Sequence, residues 1–270
     1  MQGERVSETG LREEAAYFAV PGAHLYTVLH RVTDPLARVL LVGPFASERH
    51  FAYHTMVRWA RHLSARQIEV LRYDHRGVGE STGIFSKTSF DRWMEDLRLL
   101  GDWLMLESPR VPLLLHGIEF GAILTAKYFR EGEGDALLLW SPPANANQAM
   151  RSTLLRWAGL EQVFEAPENR RTVAEYIRQL EQGGSVEVLG YEWTSELWRD
   201  SFHFEIPDDL EDAVARDRER RPVRSDRFGK DTIPIGLPYP RYPEMRDLGE
   251  LYASSSDWLA GALLHAGAMQ

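Results

Sequence analysis

Between residues 37 and 143 short apolar runs alternate with amphipathic stretches, and this alternation constrains the fold more than any other feature of the chain. ARVLLVGPF (37–45) is a continuous apolar run ending in Gly-Pro, the pattern of a strand buried on both faces. IEVLRYD (68–74), VPLLLHG (111–117) and DALLLWSPP (135–143) read as three further strands. HFAYHTMVRWARHLSARQ (50–67) and EFGAILTAKYFREG (119–132) have helical spacing. A third helix begins at Ser89, with Phe90, Trp93, Leu97, Leu100 and Leu104 marking one apolar face. Strand and helix in strict turn imply a parallel sheet with right-handed crossovers. Ahead of it, residues 13–20 and 24–32 flank Pro21-Gly22 and predict a β-hairpin.

The pattern changes after Pro143. Residues 144–200 are polar, mostly helical in spacing and carry scattered tryptophans, which predicts an inserted cap rather than more sheet. SFHFEIP (201–207) reads as a late strand and DDLEDAVARDRERR (208–221) as a charged, solvated helix. Residues 222–243 hold five prolines and one candidate strand, DTIPIGL (231–237), before a last helix over 244–264. The expected organisation is therefore a core over 1–143, a cap over 144–200 and a shortened return to the core over 201–270.

Composition excludes several function classes. The 31 Lys and Arg against 40 Asp and Glu leave a net charge of −9, which opposes nucleic acid and anionic membranes as partners. Without a cysteine there is no disulfide, thiolate metal site or cysteine nucleophile. His50 and His54 stand four apart but lack a plausible third ligand, so no metal site is expected. The glycine-rich loop 77–83 has neither the Lys-Ser/Thr of a phosphate loop nor dinucleotide spacing, so no cofactor is expected. MQGERVSETGLREE lacks the apolar stretch of a secretory signal, and no run reaches the ~18 apolar residues that span a bilayer. The expectation is a cytoplasmic protein without membrane insertion, whose partner is a small molecule bound beneath the cap.

The chemistry concentrates at Gly117-Ile118-Glu119-Phe120-Gly121, between a buried strand and a helix. These glycines have the spacing of G-x-S-x-G, the nucleophile elbow of α/β-hydrolases, with Glu119 in place of serine. RYDHRGVGESTG (72–83) resembles the D-x-R-G-x-G-x-S segment after the fourth strand of many α/β-hydrolases, especially the serine-aminopeptidase and monoacylglycerol-lipase-like branch. GPFASERHFAYHTMVRWARHL, FDRWMEDL, LLLHGIEFGA and VEVLGYEW further resemble exosortase-system-associated hydrolase-like proteins, in exopolysaccharide or protein-sorting settings, whose elbow also lacks serine. This resemblance spans roughly residues 37–195. It implies an α/β-hydrolase fold, with a mostly parallel central sheet flanked by helices and a helical cap.

An active member of that superfamily carries nucleophile, acid and histidine in that chain order. The nine histidines are at positions 24, 30, 50, 54, 62, 75, 116, 203 and 265, and none falls in 222–243, where the base belongs. LPYPRYP stands there instead, and His265 comes too late. With serine and histidine both missing, the triad reads as degenerate.

Glu119 then has three readings: a carboxylate nucleophile, a general base or ligand-binding group, or a structural remnant favoured by the helix dipole. The amides of Phe45 and Phe120 occupy the superfamily's oxyanion-hole positions, unless the Glu119 carboxylate itself takes them. His203 is the candidate displaced base, and Asp208 or Asp209 the candidate acid. Asp74 and Arg76 are expected to fix their loop through side-chain-to-backbone bonds. His116 is expected to be a hydrogen-bonded core residue. Trp157, Trp193 and Trp198 belong to a pocket under the cap or to the cap's own core.

Overall fold

The computed structural model describes residues 3–6, 12–207, 223–226 and 248–265. Apolar β-branched and leucine runs give four parallel strands, β4 (Ala37–Val42), β5 (Ile68–Tyr73), β6 (Leu113–Ile118) and β7 (Ala136–Trp140). Every residue of all four is buried, including the charged Arg38 of β4 and Glu69 of β5, which pair at 2.8 Å. The Pro21-Gly22 turn joins β2 (Arg12–Val20) to β3 (Ala23–Arg31), and β3 pairs antiparallel with β5. With β1 (Gly3–Val6) and β10 (Val223–Asp226) the sheet has eight strands in the order β1-β2-β3-β5-β4-β6-β7-β10. No strand is expected at 223–226 from sequence, yet β10 pairs parallel with β7. The charged helix at 208–221 and the candidate strand at 231–237 fall outside the described residues.

Helices cover both faces. Along β4, Leu40 and Val42 face one cluster while Val39 and Leu41 face the other, the two-residue period of a strand. The first cluster holds α2 (Phe90–Glu107) and α3 (Phe120–Arg130); the second holds α1 (Glu48–Ser64) and α7 (Gly249–His265). Helix α2 starts at Ser89, whose hydroxyl accepts from the Arg92 amide and satisfies one orphan donor of the first turn. No helix among the described residues is long and apolar enough to cross a membrane.

Between β7 and β10 lie α4 (Ala146–Phe164), α5 (Val173–Glu181), β8 (Ser185–Val188), β9 (Tyr191–Thr194) and α6 (Ser195–Asp200). A two-stranded sheet thus sits within the stretch expected to be mostly helical. Residues 201–207 do not form the expected late strand. Their carbonyls tie down the start of α4 instead: Ser201 O accepts from Asn147 N (3.0 Å) and Phe204 O from Ala146 N (2.8 Å). Only the bridge between Asn145 and Glu205 has strand character.

Candidate functional site at the β6–α3 turn

Strand β6 runs into α3 through a turn one residue long. Glu119 has φ 50° and ψ −118°, a conformation that costs a side-chain-bearing residue of order 1–3 kcal/mol. Its amide donates to Trp140 O (2.8 Å) and its carbonyl accepts from Ala122 N (2.9 Å), so neighbours hold the strain in place. Both flanking glycines are sterically required. A Cβ on Gly117 would stand 2.3 Å from Thr125 Oγ1 and 2.4 Å from Ala122 Cα. On Gly121 it would stand 2.2 Å from Val42 O and 2.5 Å from Gly43 O, and neither backbone atom can move aside. Gly121→Ala is therefore expected to cost about 1–3 kcal/mol in a urea melt; an unchanged midpoint would contradict this packing.

The Glu119 side chain makes no capping hydrogen bond. Instead it is partly buried near two charges that sequence reasoning overlooked. Glu48, the first residue of α1, and Arg156, midway along α4, form a two-pronged pair: Arg156 Nε to Glu48 Oε1 and Nη2 to Oε2, each 3.1 Å. Burial pushes the Glu48 carboxyl above its ordinary range, against the pull of Arg156 and of the Thr153 hydroxyl. Burial also raises Glu119, the like charge of Glu48 adds to it, and Arg156 opposes both. The result is a carboxyl pushed up to about 7, half-protonated at neutral pH.

No histidine is among the charges that act on that carboxyl, which are Glu48 and Arg156. His116 is on the opposite face, where its Nδ1 accepts from Trp59 Nε1 (2.9 Å) and burial depresses it to about 3. His75 is buried, donates through Nε2 to Gly43 O (3.1 Å) and packs against the Trp93 and Phe120 rings. His203 is exposed on the turn after α6, and Asp208 and Asp209 lie outside the described residues. Asp74 and Arg76 do fix their loop, but mainly through ion pairs. Asp74 takes both prongs of Arg49 (2.7 Å each) as well as the Glu80 amide (3.0 Å). Arg76 clamps Asp96 (2.6 and 3.0 Å) and also donates to Pro21 O (2.8 Å).

One family model matches the chain across more than half its length. That model, serine aminopeptidase S33, covers residues 33–179. The chain belongs to the serine aminopeptidase S33 family. Its fold also matches solved α/β-hydrolases. A monoglyceride lipase variant from Saccharomyces cerevisiae is 15% identical, with a TM-score of 0.60 over 93% of this chain and 95% of that one. A carboxyl esterase from Bacillus coagulans is 13% identical, with a TM-score of 0.56 over 92% and 98%. An α/β serine hydrolase without lid from Xanthomonas campestris is 27% identical, with a TM-score of 0.43; the match covers 49% of this chain and 62% of that one. No curated protein matches.

In this S33 chain the amides of Phe45 and Phe120 have no hydrogen-bond acceptor among the described residues. Their rings, 5.5 Å apart, belong to an aromatic cluster with Trp93 and Trp193. Trp193 and Trp198 are buried in the core. Trp157 instead lines a cleft of about 460 Å³ between the start of α1, the end of α4 and the β8–β9 turn. Ser47 and Arg49, on either side of Glu48, also line this cleft, but Glu119 does not. Among the described residues no group of three or more His, Asp and Glu could hold a metal ion.

Proposed function

We propose that this S33-family chain is a binding or accessory protein on the α/β-hydrolase fold, with Glu119 in place of the nucleophilic serine and a degenerate triad. The observation that carries this reading is the company of the Glu119 carboxyl: the charges that act on it are Glu48 and Arg156, with no histidine among them. A carboxyl that is half neutral near pH 7 is a weak nucleophile, and an ester formed on it would need a base to activate water. Residues 144–200 act as the cap over the core formed by 1–143 and 201–270, and Arg156 is the cap's contribution to the cluster. The resemblance to exosortase-associated proteins supports a role in exopolysaccharide or protein sorting.

One observation favours a second reading. A carboxyl poised at about 7 has the proton affinity of a general acid or base, so an active hydrolase of esters, epoxides or related small substrates through Glu119 is the alternative. Short- and long-chain aryl esters, epoxides and haloalkanes, assayed on wild type and Glu119→Gln, separate the two. The accessory reading expects the same background rate from both proteins; turnover lost in the glutamine variant establishes the alternative. Fluorophosphonates are expected to label nothing, and stoichiometric labelling, at Ser81 or Ser141 for instance, would overturn the assignment of the elbow. Glu119→Ser alone is expected to remain at background, because removing the base from a triad costs roughly 10⁶-fold in one measured series. Turnover above ~1 s⁻¹ would reveal a displaced histidine such as His203.

A further inference from the structure

The cleft at the end of α4 has its own chemistry, separate from Glu119. Glu161 lines it and is 4% exposed. Its two oxygens accept from the Tyr176 hydroxyl and the Arg171 amide, both neutral donors. The Arg171 guanidinium lies over the Tyr176 ring (4.1 Å) and donates to Gln179 instead. Glu165, half-buried and four residues on, lines the same cleft, and Arg170 donates to its backbone carbonyl, not to its carboxylate. Among the described residues neither carboxylate has an ion-pair partner. Arg49, also in the lining, is taken by both oxygens of Asp74. A carboxylate removed from water without a counter-charge carries an electrostatic cost that a bound cation would relieve.

Rings complete the site. Trp157, Phe164 and Tyr191 line the cleft, and aromatic side chains attract a cation as well as apolar surface. Trp157 Nε1 donates to the Tyr176 hydroxyl (2.7 Å), which in turn donates to Glu161, so wall and carboxylate are fixed together. Phe51 adds a fourth ring, with the Arg156 guanidinium already 4.9 Å from its centroid. The geometry points to a binding site for an organic ammonium with an apolar body, its cation drawn by Glu161 and Glu165 and its body packed on the rings. An anion would meet two carboxylates and a guanidinium already neutralised by Asp74. A cavity of about 460 Å³ accommodates a bicyclic ring with a quaternary ammonium head. The site stands whether or not Glu119 turns over a substrate.

Titration calorimetry of the full chain with (2-naphthylmethyl)trimethylammonium tests it. The expected Kd lies between roughly 10 µM and 1 mM for a ligand of this size. The neutral 2-naphthylmethanol is expected to bind about tenfold more weakly, and the anion 2-naphthoate more weakly still. Glu161→Gln keeps an acceptor for the Tyr176 hydroxyl, and with Glu165→Gln it is expected to bring the ammonium down to the affinity of the alcohol. Two changes at the rim keep the test open if that double variant does not fold. Glu165→Gln alone is expected to weaken the ammonium several-fold and to leave the alcohol unchanged. Phe164→Ala is expected to weaken both ligands several-fold, and since Phe164 is 59% exposed its truncation leaves the fold intact. Glu119→Gln is expected to keep the wild-type Kd within about twofold. No heat at about 5 mM ammonium overturns the proposal, as does an alcohol that binds wild type as tightly, or equal ammonium affinity in wild type, Glu165→Gln and Phe164→Ala. Binding lost in Glu119→Gln but kept in Glu165→Gln and Phe164→Ala moves the ligand to the elbow; the cleft proposal then fails while the accessory reading survives.

Discussion

Arg156→Ala is expected to cost about 3–5 kcal/mol at pH 8, the penalty for leaving a buried carboxylate without its cation. Glu48 is 6% exposed and loses both prongs of its partner at once. The loss also removes the guanidinium that lies 4.9 Å from the Phe51 ring centroid, so packing falls together with charge. Protonating Glu48 offers relief, and its raised affinity for a proton makes that relief available on mild acidification. The deficit is therefore expected to be larger at pH 8 than at pH 5, since the direction of the Glu48 shift makes protonation easier. Urea melts at both pH values measure it, with Arg156→Lys restoring the charge but not the two-pronged geometry. The double variant Glu48→Gln/Arg156→Ala is expected to recover most of the loss, because no unpaired charge remains at Glu48. A deficit below about 1 kcal/mol at both pH values would mean that the bridge contributes no more than a surface pair.

Glu119→Gln is expected to do the opposite and stabilise the protein at alkaline pH. Folding raises the carboxyl from 4.5 to about 7, so the folded state holds more protons than the unfolded chain between those values. Wild-type stability must then fall as pH rises through that window and level off above it. The full swing for this one group is at most ~3 kcal/mol. Glutamine removes the slope. The variant is expected to match wild type near pH 4.5 and to exceed it by up to ~3 kcal/mol at pH 8, about 5–10 °C in Tm. Equal pH profiles for the two proteins would show that the Glu119 carboxyl is solvated like an ordinary one.

The sheet was legible because burial on both faces leaves β4 and β6 almost wholly apolar, with Arg38 and His116 the exceptions. The elbow was legible for a similarly local reason, since two glycines four apart record backbone contacts that no Cβ can share. The β8–β9 hairpin was present in the letters but overlooked. Val186, Val188 and Trp193 alternate with exposed residues around Leu189-Gly190, whose φ values of 51° and 82° suit a two-residue hairpin loop. Its helical surroundings masked that short period. Phe202, Phe204 and Ile206 misled in the other direction. They alternate in sequence, but Phe202 and His203 are both exposed, and the backbone there serves α4. Glu48 and Arg156 carried no signal of their own. Each reads as an ordinary charge on a helix, and only packing across 108 residues of chain makes them one unit.

The aromatic cluster beneath the turn has a mechanical consequence. Phe45 lies in the loop after β4 and Phe120 opens α3, yet each ring touches the other and Trp93, with centroids 5.5–5.9 Å apart. The separation of their two backbone amides is therefore coupled to the packing of a slab of rings. Interiors this densely filled transmit a change in volume instead of absorbing it. Trimming Trp93 alters a gap between two N–H groups that it never contacts, so the spacing of the donors is a property of the core.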